Sequence, residues 1–233
     1  MADVDEASTD AKPKRRQMPL WQETILLLAL ALVLAILIKS LFVQAFYIPS
    51  PSMEPQFIQN DRILVQKVSY WGGGTPQRGD IVVFEDPGHW LSTEDSKPPT
   101  SPVTKVLEKI GLYPTGGHLV KRVIGVGGDR VVCCDKQGRL TVDGHPLDEK
   151  SYLPKGTVPS TLKFDIRVPK NHLWVMGDNR SESYDSRGHM GDPGGGFVDQ
   201  DLVVGRVFAL IWPAGRAQLI HRPGTFASVP DPK

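Results

Sequence analysis

The sequence predicts a mainly β protein: curled antiparallel sheets form one body behind a single amino-terminal transmembrane helix. Three observations predict it. An uncharged apolar run, "TILLLALALVLAILI" at 24–38, stands near the start of the chain. Short runs rich in Val, Ile, Leu and Phe then follow one another, broken by Gly, Asp and Pro, as strands joined by turns require. Glycine at 23 and proline at 20 residues exceed average usage and favour many turns over long helices.

Residues 1–19 are polar, charged and aperiodic, the pattern of a disordered tail. From Leu20 to Val43 the chain is apolar on all sides, and about 20 helical residues at ~1.5 Å rise cross a ~30 Å hydrocarbon layer. Glu23 and Lys39 sit near the ends of this 20–43 segment, where their side chains snorkel to the two surfaces. No polar face interrupts it, which argues against a buried helix of an all-α core. Upstream lies "KPKRR" at 12–16, whereas beyond Lys39 the next positive charges are the scattered Arg62 and Lys67. That bias keeps the amino terminus cytoplasmic and puts the body on the extracytoplasmic side of the plasma membrane. A cleaved export signal shares the basic start, the apolar core and a small-residue site, here "VQA" at 43–45. Against it, the polar segment expected before such a site is replaced by membrane-like residues around Lys39 and Phe42.

The body, 44–222, contains the predicted strands "RILVQKV" from 62, "DIVVF" from 80, "HLVKRVIGV" from 118, "RVVCC" from 130, "RLTVDG" from 139, "LKFDIRV" from 162, "HLWVMG" from 172 and "LVVGRVFALIW" from 202. Two insertions interrupt them. The first, 85–117, carries the linker "DSKPPTSP" and then Val103, Val106, Leu107 and Ile110 at the spacing of a short amphipathic helix. The second, 188–196, is glycine-rich and reads as a mobile loop; it lacks the lysine and strand-to-helix setting of a phosphate cradle. Residues 223–233 read as a carboxy-terminal tail. Charged residues at 23% with a net charge of +1 leave no basic field for nucleic acid. The two cysteines, Cys133 and Cys134, are adjacent, so no long-range staple is available within the chain. They read as half-buried thiols in a strand, with a vicinal disulfide as the alternative. Neither metal-ligand spacing nor a cofactor motif accompanies them, and no metal or cofactor is expected.

The stretch "YIPSPSMEPQF" at 47–57 sets Ser50 and Ser52 among Pro49, Pro51 and Pro55 just beyond the apolar run. A serine hydroxyl is a weak nucleophile until a base takes its proton. In "GHLVKRVIG" an extended strand puts Leu119, Lys121 and Val123 on one face. A lysine desolvated among such neighbours has a depressed pKa and acts as a general base; a snorkelling lysine at a strand end is the plainer alternative. His118 is the competing base, beside a Gly-Gly turn. A third segment, "GDNRSESYDSRG" at 177–188, alternates Ser183, Asp185 and Arg187, so an extended chain lets Asp185 pair with Arg187 and leaves the Ser183 hydroxyl to bond elsewhere. A calcium loop fails here, because Ser183 stands where glycine is required and His189 where a terminal Glu is required.

Together these segments resemble the bacterial type I signal peptidases, membrane-anchored serine proteases that remove export signals. "IPSPSMEP" at 48–55, "RGDIVVF" at 78–84, "KRVIGVGGD" at 121–129 and "GDNRSESYDSR" at 177–187 are similar to that family's boxes, in its order, over residues 20 to about 213. The resemblance implies Ser52 as nucleophile and Lys121 as general base. It implies an oxyanion hole from the Ser50 hydroxyl and the Ser52 backbone N–H, with Ser183 orienting Lys121 and Asp185 and Arg187 bracing its loop. It implies small-residue pockets lined by Phe46, Ile48, Pro49, Met53, Leu119 and Val120. The implied partners are the signal peptides of exported preproteins, cut after A-x-A-like sites, membrane lipid, and the secretion translocon nearby. Gly127 departs from the family's usual proline, and Glu54 and Gln56 depart after the methionine. A self-cleaving Ser/Lys protease and an inactive anchored β binding module are the competing functions.

Overall fold

In the computed structural model the described residues are 19–88, 90, 91 and 117–231. The amphipathic helix expected at 103–110 and nearly all of the expected amino-terminal tail lie outside them. Packing divides the chain into two units, residues 1–37 and 38–233. Helix α1 runs over Leu20–Phe42. At ~1.5 Å per residue it is about 35 Å long, and its stretch Leu20–Ile38 is long and apolar enough to cross a membrane. Apolar side chains are exposed around the helix from Leu20 to Leu37, as a lipid solvent would favour.

The second unit is built from twelve strands among the described residues: β1 (Val43–Tyr47), β2 (Arg62–Gln66), β3 (Ile81–Glu85), β4 (His118–Val126), β5 (Arg130–Cys133), β6 (Leu140–Val142), β7 (His145–Pro146), β8 (Phe164–Arg167), β9 (His172–Met176), β10 (Val198–Asp199), β11 (Val203–Trp212) and β12 (Gln218–Leu219). One antiparallel sheet has the order β1-β2-β11-β3-β4-β9-β10, with β12 beside the end of β11; a second has the order β7-β6-β5-β8. The alternation of β3 shows why the large sheet is covered on both faces. Ile81 and Val83 enter one core cluster with Phe46, Met53 and Val120, while Val82 and Phe84 enter another with Leu119 and Val175. A third cluster, around Trp174, Ile124, Val131 and Leu140, includes residues of both sheets.

Strand β4 lies between β3 and β9, and every residue from Leu119 to Gly125 is buried. Its polar side chains are therefore enclosed by their position in the sheet. Turn chemistry closes the smaller sheet: Asp143 and Gly144, at φ of 48° and 80°, make the left-handed two-residue turn between β6 and β7.

Three sequence expectations are corrected. Cys133 and Cys134 form a vicinal disulfide instead of a thiol pair. The stretch expected as a carboxy-terminal tail packs on the body: Phe226 and Val229 are buried, Arg78 Nη1 donates to Pro230 O at 2.9 Å and Thr225 Oγ1 to Asp148 O at 2.8 Å. Its two apolar side chains supply burial that composition alone did not reveal. The glycine-rich insertion is a run of tight turns that buries His189.

Candidate active site

Proline and glycine build the loop that carries Ser50 and Ser52. Between β1 and β2 the chain makes a single 3-10 turn, Pro51–Met53, with Ser50 in extended conformation before it and proline at its first position. Met53, 1% exposed, anchors the turn in the core beside Phe57. The base of the loop is closed by Ile48 N donating to Asp61 O and Asn60 N donating to Ile48 O, each at 2.9 Å. Its outer carbonyls are satisfied from the 177–187 segment, where Asn179 N donates to Ser52 O at 3.0 Å and Asn179 Nδ2 to Pro51 O at 3.2 Å. Gly177 permits that approach, since a Cβ there would stand 2.4 Å from Ser52 O and 2.3 Å from Ser183 Oγ.

Ser52 and Lys121 meet, although 69 residues separate them: Lys121 Nζ donates to Ser52 Oγ at 2.8 Å and to Val120 O at 3.2 Å. Both side chains are buried. Desolvation is the main cause that lowers the Lys121 pKa from 10.5 to about 8; Asp185 and Asp178 pull it back up, and Arg187 adds to the lowering. A neutral amine is thus accessible near neutral pH, in contact with a hydroxyl. Ser50 Oγ lies 3.1 Å from Ser52 Oγ. His118, the competing base, packs its ring against Phe46 at 5.2 Å.

Asp185 is fully buried. It accepts from Arg187 Nε at 2.9 Å and Nη2 at 2.8 Å, from Gly177 N at 2.9 Å and from Ser183 Oγ at 2.7 Å. Burial alone would raise its pKa, but the Arg187 guanidinium and these hydrogen bonds outweigh it and hold the carboxyl below its ordinary range. The direct Ser183 to Lys121 hydrogen bond is corrected here. The segment turns instead of extending, so the Ser183 hydroxyl donates to the carboxylate two residues on, while the Lys121 amine is directed to Ser52 Oγ and Val120 O. Ser183 packs against Gly177 beside the Ser52 carbonyl and is tied to Asp185.

A cleft of about 90 Å³ opens beside the two serines, lined by Ile48, Pro49 and Met53 from the loop and by Leu119 and Val120 from β4. Phe46 stands behind this lining, in the core and against His118. Among the described residues no group of three or more His, Cys, Asp and Glu could hold a metal ion.

A family profile described as "Signal peptidase, peptidase S26" matches residues 21–212. The chain belongs to this family. Among its relatives, the "Probable signal peptidase I" of Mycobacterium leprae is 35% identical over 92% of this chain and 85% of that one. The "Signal peptidase I" of Mycobacterium tuberculosis is 36% identical over 92% and 80%. A "Probable signal peptidase I-1" of Synechocystis is 37% identical over 90% and 92%. A solved signal peptidase I from Enterococcus faecalis is 26% identical, covering 56% of this chain and 95% of its own, at a TM-score of 0.34.

Two buried ion pairs of this signal peptidase family member have no spacing signature in the sequence. Arg122 forms a bidentate pair with Asp178, Nε to Oδ1 at 2.7 Å and Nη2 to Oδ2 at 2.6 Å, and its guanidinium lies 4.3 Å from the centre of the Tyr152 ring. Arg180 pairs with Glu149 at 2.6 Å. Both pairs flank functional segments, but partners 56 and 31 residues apart leave no spacing to read. The only signal was adjacency to Lys121 and to "GDN" in the quoted boxes.

Proposed function

We propose that the chain is a membrane-anchored serine endopeptidase that removes signal peptides from translocated preproteins by a Ser52/Lys121 dyad. The observation that carries this reading is the 2.8 Å contact between a buried amine and a buried hydroxyl, with the amine's pKa lowered to about 8. Neutral Lys121 takes the Ser52 proton as Oγ attacks the carbonyl carbon at the cleavage site. The tetrahedral oxyanion is met by the Ser50 hydroxyl and the Ser52 backbone N–H, for which each donor is worth on the order of 10²-fold in rate. The Lys121 ammonium then gives its proton to the leaving amine, and the C–N bond breaks to leave an ester on Ser52. Water, deprotonated by the same amine, attacks the ester and frees the enzyme.

Substrate enters as an extended strand beside the nucleophile loop, with small side chains at −1 and −3 in the cleft lined by Ile48, Pro49, Met53, Leu119 and Val120. Phe46 supports that lining. Asp185 and Arg187 brace the loop, and Ser183 acts through Asp185. The basic stretch at 12–16 supports a cytoplasmic amino terminus, so the body works at the outer membrane surface, near lipid and the translocon, where substrates emerge tethered.

The test is cleavage of synthetic A-x-A signal peptides in trans by the full chain. Ser52→Ala is expected to lower kcat by about 10⁴-fold or more and Lys121→Met by roughly 10²–10⁴-fold. Full activity in both variants would contradict the dyad, and no cleavage by the unmutated chain would leave only an anchored binding module. Cleavage confined to the chain itself would select the self-processing alternative.

A further inference from the structure

The chain leaving β3 is tied down at once by Asp86, whose carboxylate accepts from the backbone N–H groups of Gly88 at 3.0 Å, Trp90 at 2.8 Å and Leu91 at 3.2 Å. Trp90 meets Phe84 edge-on at 6.1 Å and lies flat on the His189 imidazole, with ring centres 4.2 Å apart and planes 3° from parallel. His189 is buried and held in turn. Tyr184 approaches its ring edge-on at 4.4 Å, Asp192 Oδ2 lies 2.6 Å from Nδ1, and its backbone N donates to Asp185 O at 3.3 Å. The stack therefore joins the first insertion to the segment that carries Ser183 and Asp185. Next to Trp90, Leu91 reaches the cleft that contains Ser52 and Lys121. None of the boxes contains Trp90, Leu91 or His189.

We propose that Leu91, held by the Trp90–His189 stack, is the specificity-determining wall of the −3 pocket. The inference rests on the reading above that this cleft receives the substrate. Register places the wall. Glu85 pairs with His118, so the chain leaving β3 lies beside the start of β4, three residues before Lys121. At ~3.3 Å per residue that start is about 10 Å from the dyad. A substrate laid along β4 from Lys121 toward His118 has its −1 side chain at the reacting bond and its −3 side chain about 7 Å farther along. Space is short there: about 90 Å³ is far below the several hundred Å³ of a small-molecule pocket, and Leu91 takes part of the remaining room. Trp90 and His189 act as positioning residues.

The test compares kcat/KM for peptides with Ala or Leu at −3, and with Ala or Leu at −1, using the full chain. Leucine in place of alanine adds the three carbon atoms that Leu91→Ala removes. In Leu91→Ala the Leu/Ala ratio at −3 is expected to rise at least tenfold, the size of a pocket-fit effect, while the ratio at −1 stays within about twofold. Leu91→Val shifts the −3 ratio in the same direction by less. His189→Ala shifts it likewise, and His189→Phe, which keeps a ring under Trp90, does not. Each ratio is taken within one variant, so partial misfolding cancels. An unchanged −3 ratio in active Leu91→Ala and Leu91→Val, or a rise at −1 instead, overturns the inference. Failure of the unmutated chain to cut any peptide is a different result, because it removes the proposed reaction itself.

Discussion

Lys121 and Arg122 are neighbours on one strand, equally enclosed, and they respond to burial in opposite ways. Arg122 meets Asp178 through two hydrogen bonds, and that carboxylate outweighs the desolvation that would lower the guanidinium's pKa, so its charge is retained. Among the described residues no carboxylate lies within hydrogen-bonding distance of Lys121: its amine meets a hydroxyl and a carbonyl, and desolvation dominates. Burial alone does not make a base. The proposed base needs burial without a directly bonded anion, and Asp185 is occupied with Arg187, Gly177 and Ser183.

Breaking the Arg122 side of this contrast has the largest expected effect on stability. Asp178→Ala strands a buried guanidinium and should cost about 3–5 kcal/mol, read as a lower denaturation midpoint. The Lys121 side predicts the reverse. Its folded pKa of about 8 lies below the ordinary 10.5, so the unfolded chain binds more protons between those values and burying this amine costs stability at neutral pH. Lys121→Met should therefore raise stability by up to about 3 kcal/mol at pH 7 while lowering activity. That gain should fade as pH climbs from about 8 toward 10.5, because the buried amine of the parent then costs progressively less. An unchanged midpoint at pH 7 would mean that the amine carries its charge without penalty.

Ser50→Ala sharpens the comparison on the side of the reacting oxygen. A loss on the order of 10²-fold in kcat, with KM and melting temperature little changed, is expected if the hydroxyl meets the oxyanion. A loss in KM alone would point to substrate binding instead. The smallest effect on activity is the shift of the pH profile in Asp185→Asn. Asp185 raises the Lys121 pKa and Arg187 lowers it, so removing the carboxylate and freeing the guanidinium both move the activity limb toward acid. A shift toward base in the pH profile would contradict that sign.

Much of this was legible in local pattern. The apolar run of α1 and the Gly- and Asp-bounded strands stand out because periodicity and residue type carry them, whereas Ser52 with Lys121 was implied as a pair only by the resemblance of their segments to the family's boxes. Lys121 was readable as desolvated because its neighbours Leu119, Val120 and Val123 are apolar along a strand. Ser183 was misdirected because an alternating pattern reads as extended, while the backbone turns and brings its hydroxyl to Asp185. The Arg122–Asp178 pair and the Trp90–His189 stack depend on which distant segments the sheet brings together, and no spacing encodes that. The packed carboxy-terminal segment escaped for the same reason: its Phe226 and Val229 are too few to form a periodic signal, yet enough to fill a gap in the core.

The central claim is that an enclosed, uncharged lysine amine activates Ser52, and the pH dependence of kcat/KM on a signal peptide tests it most directly. The account predicts a limb that rises tenfold per pH unit and levels off above about 8, and that His118→Ala leaves in place. A limb near the ordinary histidine value of about 6.5 that disappears in His118→Ala would contradict it.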